Sequence, residues 1–184
     1  MVSGLIYFLN ADTGYLVGTG ENIYKTVVGG RLWSIVQSGT DKWLNSICFT
    51  YGNTGYAVGD SGSLVKSVNG GKSWSELSSG VAANLNSVCF TSGEVGYVAG
   101  DWGIILKTAD AGQSWTVLQS GTDFSLRSVF FPDEVAGYAV GRAGAIQNTI
   151  DAGATWTPLD GKENWLNSVF SWMAIPGIQS VMPE

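Results

Sequence analysis

Short apolar stretches recur along the whole chain, each ended within a few residues by a cluster of Gly, Asn, Asp or Ser, and this pattern predicts strands and tight turns rather than helices. LNSICF at 44–49 and LNSVCF at 85–90 carry apolar residues on both parities, the mark of a strand covered on both faces. GYAVG at 55–59 is a second kind of strand, with Tyr56 and Val58 on one side and the small Ala57 on the other. SLVKS (63–67) and IILKT (104–108) predict a third strand, and the Trp-led stretches WSELSSG (74–80) and WTVLQSG (115–121) predict a fourth. Turn residues separate all four: GNTG or SGEVG, then GDSG or GDWG, then an octet such as TADAGQSW, then SGTD.

This group of four strands is written four times. The dipeptide Gly-Tyr falls at 14–15, 55–56, 96–97 and 137–138, and tryptophans fall at 33, 74, 115 and 156, always 41 residues apart. A four-stranded antiparallel unit that repeats every 40 to 45 residues or so, and cannot bury both its faces alone, predicts an all-β β-propeller blade. The expected organisation is one propeller domain over 1–184, with repeats at about 3–43, 44–84, 85–125 and 126–165. LNSVF at 166–170 then begins a fifth copy of the first strand, expected as an extra C-terminal strand, and the segment to 184 leaves the pattern. Either that strand and tail patch the seam of a small closed ring, or the blades form an open arc that closes on another copy through its exposed edges.

Composition removes several classes of function. The chain has 184 residues, 45% hydrophobic, with 26 glycines and only 13% charged residues, so a sizeable core is available. The net charge is -6 and the nine Lys and Arg residues are scattered, leaving no basic stripe for nucleic acid. There is no histidine and there are only two cysteines, so no metal site or cofactor is expected. Cys48 and Cys89 occupy the same repeat position as Tyr7 and Phe130, an apolar slot, and are expected to be buried free thiols. No apolar run is long enough to insert in a membrane, and MVSGLIYFLN lacks the basic start and small-residue cleavage site of a signal peptide. The compartment stays open.

The octet resembles the Asp-box of bacterial neuraminidase repeats, a Ser/Thr-x-Asp-x-Gly-x-Thr/Ser-Trp turn. Asp110, Gly112, Ser114 and Trp115 match it, as do Asp151, Gly153, Thr155 and Trp156. Asn69, Gly71, Ser73 and Trp74 match with Asn for Asp, while TVVGGRLW at 26–33 has Val28 and Leu32 at the two polar positions. The full unit is similar to the repeats of the photosystem II stability and assembly factor family and its bacterial relatives. That resemblance implies a propeller with a structural box at its rim and a client gripped by a basic arginine patch. The acidic chain departs from the family there. Sialidase chemistry, as the box would suggest, implies three arginines on a substrate carboxylate, but Arg31, Arg127 and Arg142 do not share a repeat position. No catalytic residue is expected and the chain is read as a non-enzyme.

The octet itself needs no chemistry. Its Asp accepts backbone N–H bonds, its Gly supplies positive φ, and its Trp packs between strands. In an antiparallel blade the octet shares one end with the turn between strands one and two, so variable residues at the other end are the binding candidates. These are Asp60, Asp101, Trp102 and Arg142 in the turns between strands two and three, and Trp43, Phe124 and Trp165 before each new first strand. Aromatics beside carboxylates suit a protein or peptide partner, with a glycan as the rival ligand.

Overall fold

A computed structural model describes residues 5–18, 20–50, 53–161 and 165–169. Four four-stranded antiparallel sheets follow one another along the chain. Blade 1 is β1 (Leu5–Phe8), β2 (Gly14–Val17), β3 (Asn22–Thr26) and β4 (Ser34–Gln37). Blade 2 is β5 (Leu44–Phe49), β6 (Gly55–Gly59), β7 (Leu64–Ser67) and β8 (Ser75–Leu77). Blade 3 is β9 (Leu85–Phe90), β10 (Gly96–Gly100), β11 (Ile105–Thr108) and β12 (Thr116–Leu118). Blade 4 is β13 (Leu126–Phe130), β14 (Gly137–Gly141), β15 (Ile146–Thr149) and β16 (Thr157–Pro158). Within each sheet the strands lie in chain order, and the first strands β1, β5, β9 and β13 contact one another in sequence along the inside of the arc.

The cores lie between blades, which is why one blade cannot stand alone. Tyr15, Val17 and Ile23 of blade 1 pack with Ile47, Phe49, Ala57 and Trp74 of blade 2. Tyr56, Val58 and Leu64 pack with Leu85, Val88, Val98 and Leu106, and Tyr97, Ala99 and Ile105 pack with Val129, Phe131, Ala139 and Trp156. Each joint is centred on stacked rings, Tyr15 on Phe49 at 4.2 Å, Tyr56 on Phe90 at 4.1 Å and Tyr97 on Phe131 at 3.8 Å, with a Trp edge-on behind the Phe. Aromatic pairs of this kind add about 0.5–1.5 kcal/mol beyond the area they bury.

A second layer locks the same joints. The Tyr15 hydroxyl and the Lys25 ammonium both donate to the Gly70 carbonyl oxygen in the octet of the next blade, at 2.9 and 2.5 Å. Tyr56 and Lys66 do the same to Ala111 at 2.8 and 2.7 Å, and Tyr97 and Lys107 to Ala152 at 2.7 Å each. Each Lys also lies over its Tyr ring, 5.4–5.5 Å from the centroid, so the cation is held by ring and carbonyl together. Burial pushes the Tyr56 and Tyr97 hydroxyls up to about 12, which keeps them as donors at neutral pH.

The two ends of the arc differ from its middle. The sequence pattern predicts a first strand covered on both faces, and β5, β9 and β13 carry buried Ile47, Val88 and Val129. In β1 the equivalent Ile6 is 58% exposed, because no blade lies in front of it. At the other end Leu166–Val169 extends along blade 4, with the Val169 N–H donating to Ser128 Oγ at 3.2 Å. Val88 to Ser46 and Val129 to Ser87, both 3.2 Å, are the same bond between successive first strands. The segment therefore lies where a fifth first strand would begin, but residues 165–169 form no strand: two bonds to blade 4 hold them without a continuous ladder. Residues 170–184 lie outside the described residues.

Candidate functional site

The octets form one face of the arc together with the turns between first and second strands. Gly70, Ala111 and Ala152 N–H groups donate to Asn53, Glu94 and Val135 carbonyls at 2.8–3.0 Å. Inside the third octet Asp110 accepts the Ser114 N–H at 2.9 Å and the Ser114 hydroxyl at 2.6 Å, while Thr108 donates to it at 2.8 Å. Asp151 holds Thr155 and Thr149 in the same way. These bonds to the charged form pull both carboxyls down to about 2. Asn69 accepts the Lys72 and Ser73 N–H groups at 3.0 Å and donates to the Ser73 hydroxyl. Gly71, Gly112 and Gly153 have φ of 65–79°, and Trp74 and Trp156 are buried with Trp115 nearly so. A cleft of about 310 Å³ lies beside the third octet, but the polar groups of Asp110 and Ser114 that line it are already bonded to each other.

The opposite face is built from the turns between second and third strands and from the residues leading into each first strand. The two sets are tied by backbone bonds: the Asp60, Asp101 and Arg142 N–H groups donate to the Trp43, Asn84 and Ser125 carbonyls, all at 2.9 Å. Each turn is a tight one whose second residue is left-handed: Ser61 at φ 55°, Trp102 at 60° and Ala143 at 52°. The glycine that follows is obligatory. A Cβ on Gly103, at φ 69°, would lie 1.8 Å from the Thr122 carbonyl oxygen. That close approach throws the preceding side chain outward, and Trp102 is 76% exposed.

All seven candidates sit on this face. Trp43, Trp102, Phe124 and Trp165 are exposed, Arg142 is exposed with its guanidinium 4.8 Å from the Trp165 ring centroid, and Asp60 and Asp101 are half-buried beneath. Trp102 and Phe124 border an open cleft of about 690 Å³ that also runs past Val117, Gln119 and Asp123. The cleft at the same place in blade 2, about 470 Å³, has Ser61 where blade 3 has Trp102.

Three residues that the sequence pattern left in the strands also belong to this face. Asn45 donates to Asp60 Oδ1 and to the Leu85 carbonyl at 3.0 Å each, and Asn86 donates to Asp101 Oδ1 at 3.0 Å and the Leu126 carbonyl at 2.8 Å. Arg127, at the next repeat position, reaches back to Asn86 Oδ1 at 3.1 Å and lies 3.9 Å from Asp101. The two carboxylates are thus held by a ladder that runs from blade to blade, and Asp101 directly precedes the exposed Trp102 in the same turn. The Asn-Ser pair in each LNS motif was the available signal.

Cys48 and Cys89 lie on the first strands as free cysteines, half-buried and packed against the cores between blades. Burial still pushes the Cys89 thiol up to about 12 and raises Cys48 well above its ordinary value. Among the described residues no group of acidic residues and cysteines is placed to hold a metal ion.

A family model described as photosynthesis system II assembly factor YCF48 matches residues 31–124, just over half of the chain. The chain belongs to the YCF48 family. Among solved structures, YCF48 bound to a D1 peptide is 21% identical, over 85% of this chain and 56% of that one, with a TM-score of 0.68. YCF48 from Cyanidioschyzon merolae is 14% identical, over 84% of this chain and 57% of that one, with a TM-score of 0.64. The chain therefore spans little more than half the length of either YCF48 structure. An ancestral GH74 enzyme gives a TM-score of 0.72 at 20% identity over 87% of this chain and 24% of its own, a likeness of fold. No curated protein sequence matches the chain.

Proposed function

We propose that this YCF48-family chain is a non-enzymatic propeller module that holds an extended peptide segment of a protein partner across the Trp102 face. The observation that carries the reading is the row of outward aromatics with Trp102 forced into solvent by its turn, directly after the anchored Asp101 and beside a cleft of about 690 Å³. Rigid aromatic rings bury large area at small entropic loss, and fixed polar groups below them orient a backbone. That a YCF48 structure contains a D1 peptide supports a peptide as the ligand class. The pairwise cores support reading the four repeats as one propeller domain, with the octets as its structural rim.

A synthetic D1 peptide titrated into the protein, followed by calorimetry, tests this. Saturable binding that weakens at least tenfold in Trp102→Ala supports the reading. Binding that ignores Trp102, or none, removes it.

A glycan ligand is the second reading, favoured by the exposed Trp102 and Phe124 rings on a cleft that Asp123 also lines. Sugar binding on a glycan array that is lost in Trp102→Ala, without peptide binding, would replace the first. Hydrolysis of a glycan has less support, because Asn45 and Asn86 hold Asp60 and Asp101, and Arg127 is committed to Asn86.

A further inference from the structure

We propose that the Trp102 cleft selects an arginine of the bound peptide, with its guanidinium on the exposed rings and its charge met by the Asp123 carboxylate. This selectivity rests on the reading of the Trp102 face as a peptide site, and adds the side chain that the site takes. The composition of the cleft is particular to blade 3. Trp102 stands at the repeat position of Gly20, Ser61 and Ala143, and Asp123 and Phe124 stand at those of Ala82 and Ala83. Two rings and a carboxylate therefore arrive together, on strands that closely match those of blade 2. Blade 3 has blade 2 on one side and blade 4 on the other, so both rings are exposed in the middle of the stack.

Trp102 holds a φ of 60°, a strained setting for a large side chain, and little packing offsets it because the residue is 76% exposed. Strain of this kind gathers at ligand sites. The loop that carries Phe124 is held in place: Ser120 Oγ donates to the Thr122 carbonyl and the Phe124 N–H to Thr122 Oγ1, at 3.1 Å each. Asp123 lies between those bonded residues and is exposed, with no ion-pair partner among the described residues.

Charge decides what such a cleft takes. In blade 2 the cleft of about 470 Å³ is lined by Lys42 and Glu76, one group of each sign. In blade 3 Val117 stands in place of Glu76, and Asp123 is the one ionisable residue lining the cleft of about 690 Å³. Among the described residues the basic groups of this face are engaged elsewhere, Lys42 with Asp41 at 2.9 Å, Arg127 with Asn86 at 3.1 Å and Arg142 with Trp165. Ring faces and a carboxylate both attract a cation and repel an anion. A guanidinium suits them better than an ammonium, because it is planar, weakly hydrated and able to stack while it donates to a carboxylate. The same face already shows this contact within the chain, with the Arg142 guanidinium 4.8 Å from the Trp165 ring centroid.

Calorimetric titration with a D1 peptide in which arginine, its neutral isostere citrulline or glutamate replaces each residue in turn tests the selectivity on the unaltered protein. At one position the arginine peptide should bind about fivefold or more tightly than the citrulline peptide, the worth of one cation–π contact with a nearby carboxylate, and the glutamate peptide should bind most weakly. Asp123→Asn and Trp102→Ala, both at exposed positions and checked for folding by circular dichroism, should each bring the arginine-to-citrulline ratio toward one. Binding that needs Trp102 but shows no preference at any position would overturn the arginine selectivity and leave the peptide site standing. A preference that persists in Asp123→Asn would overturn it too, by placing the cation elsewhere. No binding of any of these peptides would remove both the site and its selectivity.

Discussion

Tyr97 and Lys107 are paired across the β10–β11 ladder, and both donate to the same Ala152 carbonyl oxygen of the next blade at 2.7 Å. The octet is therefore more than a turn. It presents one carbonyl to the preceding blade, and the position of that carbonyl is fixed by the Asp151 and Thr149 bonds around it.

Removing the hydroxyl from a buried latch should cost about 1 kcal/mol, the net worth of one hydrogen bond, while removing the ring should cost about 3–5 kcal/mol. Urea unfolding of Tyr97→Phe and Tyr97→Ala reads both. Tyr138→Phe, at the open end, should leave the midpoint unchanged, and an equal loss there would mean that Tyr138 is latched as well.

The repeats and their strands were legible in the sequence, because a constant interval of 41 residues exposes them without any packing information, while the rim position of the octet was only what the family resemblance implied. The latch was not, since its partners lie 55 and 45 residues apart and meet only once blades are stacked. Lys25, Lys66 and Lys107 recur at the repeat interval in a chain with few basic residues, and that was the readable trace of it. The Asn45 and Asn86 ladder stayed hidden because a polar residue in a two-sided strand looks like a blemish until the neighbouring turn supplies Asp60 or Asp101. The exposure of β1 follows from which blade stands beside it, which no local pattern encodes.

Asp110 and Asp151 have carboxyls lowered to about 2 in the fold against an ordinary value near 4. A depressed folded value gives stability that is complete above the unfolded value and lost as pH falls through the folded one. Unfolding midpoints should therefore drop between about pH 4 and pH 2, and the drop should shrink in the double variant Asp110→Asn, Asp151→Asn. Blade 2 already carries Asn69 in this role, so the substitution is compatible with the turn. An acid dependence that is the same in the variant would assign it to other carboxylates.

Gly103→Ala should destabilise by about 1–3 kcal/mol, because the turn is left-handed there and the added Cβ meets the Thr122 carbonyl. Trp102→Gly should fold at least as well as the parent, since it relieves a positive φ on an exposed side chain. Thermal unfolding of the pair separates backbone need from ligand contact: a Trp102 variant that unfolds early would make that ring structural.

Cys48 and Cys89 should react slowly with a thiol reagent in the native protein, with the rate rising steeply above pH 8 and at once on unfolding in urea. Fast labelling at neutral pH would place the thiols in an accessible, ionisable setting.

Hydrogen exchange with and without a bound D1 peptide measures the central claim most directly, by locating the ligand on one of the two faces. Slowed exchange is expected in residues 100–104, 122–126 and 141–145, with the octets at 108–115 and 149–156 unchanged. Protection of the octets with the Trp102 face left unaltered would contradict it.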